Sequence, residues 1–405
     1  MPSQPAVLVV GPSRDHAADL QSVAETRPIA FHDPDSNWGG PDATAPTAGL
    51  DGIGGEPPAG LLALTAEALP QAADLAETLG LRGPSKASAD ASTDRSVARI
   101  LLAEAGVPTP RGTRVDSHQD AAAAALWTGY PVVLRPLANL GHYGAIRADT
   151  PEDLQAAWTF AHTASLAAQT TPGAVLLERA HGGEHVTLQT ITSAGLTRVV
   201  AAARTAFTNY PLLQPTSHLV TAEEIDPDLA QLAARAIQAI GVDHGVGHVH
   251  IVMAVLGPVI TDAAAHLQGD SVPELVRLAT GVDLLLAAIQ TATGQEPATT
   301  PTRRASAAVA LIRAGADGTV TGQAVDPGLL DAPWLARLTW ETPLRGLVQA
   351  HPASLLARCV VTGPDPDTCL NNLEQARRSV QATVQSDHAW SHRRGVHAWY
   401  EPAPL

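Results

Sequence analysis

The chain has 405 residues, which is enough for two or three domains with substantial hydrophobic cores. Its net charge of −15 argues against a surface for nucleic acid or for an anionic membrane. The only two cysteines, Cys359 and Cys369, make neither a disulfide framework nor a zinc cluster. No apolar run reaches transmembrane length, and the N-terminus lacks the basic region of a signal peptide, so we expect a soluble cytoplasmic protein.

The first 90 residues carry the pattern of an α/β unit. Residues 6–10 form a short continuous apolar run typical of a buried strand, and Gly11 follows as a turn residue. A strand, a small-residue turn and a helix in this order open a Rossmann-like domain. Apolar residues at helical spacing predict a helix over residues 61–79, which Gly80 ends.

A further helix is predicted within residues 93–110, which read TDRSVARILLAEAGVPTP. Ser92 or Thr93 can cap it, and Gly106 with the prolines behind it ends it. Arg95 stands in its first turn. The sequence leaves two interpretations of Arg95 open, a surface arginine on an amphipathic helix or a cation that faces a bound phosphate.

Residues 130–146, YPVVLRPLANLGHYGAI, combine a strand with a glycine-containing turn. Arg135 lies at the end of the strand, and Gly141 and Gly144 flank the turn. Glycine lets the backbone approach a ligand closely, and exposed N–H groups can surround anionic oxygens. The alternative is a simple glycine hairpin without a ligand.

Two glutamates follow the strand predicted at residues 175–177, in the segment ERAHGGE. They are Glu178 and Glu184. Glu184 is either a ligand-binding residue or an ordinary charge at the edge of a strand.

Residues 247–270, GHVHIVMAVLGPVITDAAAHLQGD, predict a β-hairpin with its turn at residues 256–258. Because strand side chains alternate, His248 and His250 share one face, and Asp262 lies opposite them on the return strand. His266 and Asp270 follow within a short polar segment. Such a set of polar side chains exceeds what a plain core needs and indicates a site of chemistry.

These motifs, taken in order, resemble those of the ATP-grasp superfamily, which includes carbamoyl phosphate synthetase, biotin carboxylase and the bacterial L-amino-acid ligases. The family hairpin carries His-x-Glu, then Glu-x-Asn-x-Arg, then a glycine-rich turn with Asp. At the corresponding positions this chain has His250, Asp262, Ala264 and His266, so the spacing is kept while the ligands are altered. Carbamoyl phosphate synthetase also has arginine where Arg135 stands.

The resemblance implies an α/β protein, more closely an α+β ATP-grasp fold, with three parts. We expect a Rossmann-like domain over residues 1–90 and a central ATP-grasp unit over residues 91–300. A lid lies at about residues 125–190 of that unit, and a C-terminal lobe follows over residues 301–405.

The resemblance also implies a role for each motif. Arg95, Arg135, Gly141 and Gly144 would contact the ATP phosphates, and Glu178 and Glu184 would hold the adenosine end. The metal would be held by His250 and Asp262, with His248 assisting. Arg135 and His266 would be catalytic, and His266 could act as a cation in place of the family's arginine, an effect that fades above about pH 6.5.

The implied activity is an ATP-dependent carboxylate–amine ligase that works through an acyl phosphate and releases ADP and phosphate. Its substrates would be a small carboxylate and a small amine, with amino acids preferred. Its cofactors would be ATP and Mg²⁺ or Mn²⁺. The protein would form a homodimer, as is common in the family. Histidine is a poor ligand for Mg²⁺, so two alternatives stay open. One is a degenerate protein that binds nucleotide or a partner without turnover, and the other is a scaffold whose histidines hold a different metal.

Overall fold

The computed structural model describes residues 6–11, 20, 29–32, 57–139, 143–168, 171–208, 211–349 and 354–386. Within these ranges, each helix is too short or too polar to cross a lipid bilayer.

The N-terminal unit is a parallel sheet with a helix packed on it. Its strands lie in the order β2–β1–β3, and β1 pairs in parallel with both neighbours. The elements are β1 (Val7–Val10), β2 (Ile29–His32), β3 (Gly60–Ala63) and α1 (Leu69–Leu79).

The helix predicted over residues 61–79 is wrong in its first eight residues, where the chain forms β3 and a loop. All four residues of β3 are buried. A short apolar run that is buried on both faces has no polar side to reveal its period, so helix and strand cannot be distinguished there.

Two consecutive helices lead into the central region, α2 (Lys86–Thr93) and α3 (Arg95–Glu104). Asp94 ends the first and caps the second, with its carboxylate accepting from the N–H of Ser96 at 2.8 Å. The predicted cap at Ser92 or Thr93 is therefore displaced to Asp94. This change puts Arg95 at the first helical position.

A small antiparallel sheet follows, here called the lid sheet. Its strand order is β4–β7–β5–β6, and its own core contains Leu134, Trp158 and Leu177. The elements are β4 (Gly112–Val115), α4 (His118–Thr128), β5 (Val132–Pro136), β6 (Ile146–Ala148), α5 (Leu154–Leu166) and β7 (Val175–Arg179).

The central feature of the molecule is an eight-stranded antiparallel sheet in the order β12–β11–β8–β9–β10–β13–β17–β15. Its first half comprises β8 (Glu184–Ser193), β9 (Leu196–Phe207), β10 (Pro215–Thr221), β11 (Gly245–Ala254) and β12 (Gly257–Ala264). The helices of this half are α6 (Pro227–Ala239), α7 (Val272–Thr280) and α8 (Leu284–Ala292). Because β10 pairs with β13, the sheet continues without a break into the C-terminal part of the chain.

The C-terminal part adds strands to this sheet and a separate three-stranded sheet, β16–β14–β18. Its elements are β13 (Ser306–Arg313), β14 (Gly318–Val325), α9 (Pro327–Leu330), β15 (Leu335–Trp340), β16 (Leu347–Val348), β17 (Leu355–Gly363), α10 (Pro366–Ser379) and β18 (Val380–Gln385). Cys359 and Cys369 are both buried free thiols.

Candidate functional site

The hairpin β11–β12 forms with the register that alternation predicts. His250 lies opposite Asp262 and His248 lies opposite Ala264, with an irregularity just after His250. The turn is shorter and earlier than predicted: it comprises residues 255–256, because β11 runs to Ala254 and β12 already begins at Gly257.

The hairpin borders a cavity of about 600 Å³ that lies where the parts of the molecule meet. The lid sheet contributes Arg135, and the hairpin contributes His250 and Asp262. Residues 64–67, between β3 and α1, line a further part, and Arg313 comes from the C-terminal part. This volume is of the size that holds a small-molecule ligand.

One buried carboxylate, Glu178, lies between two arginines. It forms a close ion pair with Arg99 and a second, at 3.4 Å, with Nε of Arg135. The Glu178 side chain is 1% exposed, whereas that of Arg135 is 15% exposed and faces the cavity. Glu178 therefore holds Arg135 in place, and this interaction differs from the adenosine contact that the resemblance implies.

Arg95 connects α3 to the lid sheet. Its Nη1 donates to the carbonyls of Pro136 at 3.0 Å and Ala138 at 2.6 Å, and Nη2 donates to Oδ1 of Asn139 at 2.9 Å. Its Nε lies 3.4 Å from Oδ2 of Asp262. Arg95 lines the cavity but is 3% exposed, so its guanidinium is engaged by the protein itself.

Three histidine rings of the hairpin region lie together at the cavity. The His248 ring centre is 5.1 Å from that of His250 and 4.9 Å from that of His266. His248 Nδ1 bonds to the carbonyl of His266 at 3.0 Å, and His250 Nδ1 bonds to the hydroxyl of Thr187 at 2.9 Å. Burial lowers the pKa of all three, to about 4 for His250.

His266 does not fit the role of a cation near neutral pH. Burial lowers its pKa, although the Leu267 carbonyl and nearby acidic groups oppose the shift. Its Nδ1 lies 2.7 Å from the carbonyl of Leu267, which makes Nδ1 the protonated nitrogen. Nε2 is then a buried lone-pair acceptor, and among the described residues it has no hydrogen-bond partner.

A second histidine–carboxylate contact involves His218 of β10, on the same sheet. Nε2 of His218 is 3.6 Å from Oδ2 of Asp270, and His218 Nδ1 bonds to the hydroxyl of Thr205 at 2.9 Å. Burial alone would raise the pKa of Asp270, but contact with His218 and the charge of Arg313 hold it well below its usual range. Asp270 has a φ of +56°, a left-handed conformation that non-glycine residues rarely adopt.

The remaining predicted residues lie outside the cavity lining or outside the described ranges. Glu184 does not line the cavity; its side chain is 54% exposed and pairs with Arg204 at 3.3 Å. Gly141 lies outside the described residues. Gly144 has a φ of +78°, and a Cβ there would lie 2.5 Å from that of Ala164, so packing and backbone conformation both require glycine.

Sequence reasoning missed His185, Glu67 and Arg313, which also line the cavity. His185 could have been found by alternation, because β8 pairs with β11 so that His185 is opposite Val252 and Thr187 is opposite His250. These positions share one face, and Glu184 falls on the other. Glu67 and Arg313 come from distant parts of the chain and have no local signal.

The fold family implies Mg²⁺, and the donors at this site do not fit it. Mg²⁺ prefers several oxygen ligands in octahedral geometry. Here one position has imidazole (His250), one has a methyl group (Ala264), and the remaining carboxylate (Asp262) is paired with Arg95. Over the described ranges, no three His, Cys, Asp or Glu side chains are grouped to bind one metal ion.

Comparison with known proteins identifies relatives of the chain. A family model described as "Carbamoyl-phosphate synthase L chain, ATP binding domain" matches residues 94–299. The uncharacterized protein y4rH of Sinorhizobium fredii is 23% identical over 273 residues, covering 65% of this chain and 56% of that protein. The chain thus spans little more than half the length of this curated relative.

Solved structures share the fold over nearly the whole chain. The L-amino acid ligase from Bacillus licheniformis has a TM-score of 0.79 at 15% identity, with 95% of this chain and 100% of that chain covered. The biotin carboxylase domain of Hydrogenobacter thermophilus 2-oxoglutarate carboxylase, solved with MgADP and bicarbonate, has a TM-score of 0.67 at 17% identity. That match covers 93% of this chain and 90% of the other. The predicted α+β fold is confirmed.

Proposed function

The chain belongs to the ATP-grasp family of the carbamoyl-phosphate synthase L chain ATP-binding domain, and we propose that it joins a carboxylate to an amine at the expense of ATP. Members of this family are carbon–nitrogen ligases. The observation that carries the proposal is the cavity, which has Arg135 in its wall and side chains from every part of the fold around it.

The proposed reaction has two steps. The carboxylate attacks the γ-phosphorus of ATP, which forms an acyl phosphate and releases ADP. The amine nitrogen then attacks the acyl carbon, the C–O bond to phosphate breaks, and an amide, phosphate and one proton are formed. Amino acids, a homodimer and a cytoplasmic location belong to the same proposal, as do domain boundaries near residues 90 and 300.

The residues of the cavity suit distinct tasks in this reaction. Arg135, held by Glu178, supplies positive charge for the transferred phosphoryl group. Arg95 holds the end of β5, next to Arg135, through its bonds to the carbonyls of Pro136 and Ala138. Neutral His266 has at Nε2 an acceptor without a hydrogen-bond partner among the described residues, which suits it to take the proton of the attacking amine.

Release of ADP across a panel of amino acids tests this function. We expect ADP to appear only when a suitable carboxylate and amine are both present, and we expect R135A to reduce its rate by at least about tenfold. The matched control is R198A, since Arg198 forms an exposed ion pair with Glu296 away from the cavity. Absence of turnover with every pair of amino acids would contradict a dipeptide-forming ligase.

A second candidate function is nucleotide binding without turnover. The observation that favours it is the hairpin itself, where His250 and Ala264 replace oxygen ligands that family members use. Calorimetry that detects ATP binding, together with no ADP release over the same panel, would select this alternative.

A further inference from the structure

Both oxygens of the carboxylate that remains at the hairpin already have a partner in the protein. Oδ1 of Asp262 accepts from the N–H of Ala263 at 3.0 Å, and Oδ2 lies 3.4 Å from Nε of Arg95. A divalent cation at Asp262 would have to displace Arg95 or share the carboxylate with it. Displacement would also disturb the donation from Arg95 to Pro136 and Ala138, which connects α3 to the lid sheet.

Positive charge at this end of the cavity exceeds negative charge without any metal. Arg95 pairs with Asp262, and Arg99 and Arg135 both pair with Glu178, so these two groups together contain three guanidinium groups and two carboxylates. Three minus two leaves one positive charge. Arg99 is turned away into bonds with the Thr109 hydroxyl and the Thr261 carbonyl, so the surplus faces the cavity on Arg135.

The lining as a whole has the same sign. Among the described residues that border the cavity there are five arginines and four carboxylates, a difference of one positive charge. The complete chain has a net charge of −15. Because the cavity is positively charged while the protein as a whole is strongly acidic, the electrostatic potential attracts an anion to the cavity.

We propose that this cavity binds the polyphosphate of its nucleotide without a divalent cation, with Arg135 supplying the charge that Mg²⁺ supplies elsewhere in the family. The inference rests on the proposed function for its ligand, a nucleoside triphosphate. Arginine suits the task, because its planar fork binds phosphate oxygens bidentately and stays protonated at neutral pH. Mg²⁺ coordinates the same phosphate oxygens and is repelled by the same guanidinium group, so it should compete with binding.

Calorimetric titration of the wild-type protein with ATP, in EDTA and in excess Mg²⁺, tests the proposal. We expect binding in EDTA, with an affinity that is equal or up to about tenfold weaker when Mg²⁺ is added. Affinity that rises tenfold or more with Mg²⁺ would overturn the proposal, and the same rise with Mn²⁺ or Zn²⁺ would do so too. No binding in any buffer would overturn both this proposal and the proposed function, whereas metal-dependent binding would overturn only this one.

A variant that restores oxygen ligands to the hairpin tests whether their loss is the reason that Mg²⁺ is not required. H250E with A264N introduces the oxygen ligands that the hairpin lacks, and we expect Mg²⁺ to strengthen ATP binding to this variant at least tenfold. H250Q with A264N is the matched control, because it has the same sizes without the new carboxylate, and it should respond to Mg²⁺ as the wild type does. Equal responses of the two variants would show that the hairpin donors do not set the cation requirement.

Discussion

Loss of the Arg135 side chain should weaken ligand binding without lowering the stability of the fold. Glu178 keeps Arg99 as a partner when Arg135 is removed, so no buried carboxylate is left unpaired. A charge-assisted contact contributes roughly 1.5–3 kcal/mol. We therefore expect R135A to weaken ATP binding about tenfold or more in calorimetry, with little change in melting temperature. Equal affinities of R135A and the wild type would exclude Arg135 from ligand binding.

Arg95, unlike Arg135, should contribute mainly to the stability of the fold. Breaking a buried ion pair on one side costs about 3–5 kcal/mol, because the partner charge stays buried. We expect R95M to lower the free energy of unfolding by that amount in denaturant titrations. The control is R114A, which removes an exposed pair with Asp116 and should cost less than about 1 kcal/mol. Similar losses for the two variants would contradict a structural role for Arg95.

His185 gives the protein a pH-dependent stability. Burial, followed by the charge of Arg135, lowers its pKa to about 4, while in the unfolded chain the pKa stays near 6.5. As pH falls, the unfolded state binds the proton first. The contribution of the neutral ring to stability is therefore complete above about pH 6.5 and is lost progressively down to about pH 4.

Denaturant titrations of the wild type and H185Q at pH 7, 6 and 5 measure this contribution. The free energy of unfolding should fall more steeply in the wild type, by up to about 1.4 kcal/mol for each pH unit below 6.5. Parallel curves for the two proteins would mean that His185 does not titrate differently on folding.

At the scale of single elements, comparing alanine substitutions at two glycines distinguishes the cost of backbone strain from the cost of a steric overlap. Gly144 and Gly195 have similar φ values, +78° and +76°, but a Cβ at Gly195 would meet nothing within 4 Å. We expect G195A to cost about 1–2 kcal/mol from the left-handed backbone alone. G144A should cost roughly 1–3 kcal/mol more, because its methyl group overlaps Ala164 and Pro136. Melting curves that rank the two variants equally would contradict the packing effect.

The elements also show what the sequence can and cannot predict. Alternation predicted the shared face of His248 and His250 and the opposite position of Asp262, since the period of a strand is fixed by its backbone. The family resemblance predicted the fold. The start of α1 and the engagement of Arg95 and Glu178 by protein partners could not be read from the sequence, because they depend on burial and on contacts between distant segments.

At the scale of the whole molecule, the eight-stranded sheet joins the central and C-terminal parts through the β10–β13 ladder. His218 lies opposite Val309 in this ladder, beside the cavity. We expect the amides of β10 and β13 to exchange hydrogen with similar protection factors, because neither strand can open without the other. Early exchange confined to β13 would show that the C-terminal part unfolds separately.

The β10–β13 ladder also determines which parts of the molecule can move relative to each other. A backbone-bonded sheet resists bending across its strands, so the wall with His218 and the wall with Arg313 form one rigid frame. Among the described residues the lid sheet shares no extended strand ladder with that frame. The guanidinium of Arg95 holds its β5 end, and backbone hydrogen bonds from Arg147 to Pro211 and from Leu213 to Ala145 hold its β6 end. Tilting of the lid sheet relative to the frame would therefore have to break these few contacts and not a strand ladder, and we expect the cavity to open at this junction before the frame itself deforms.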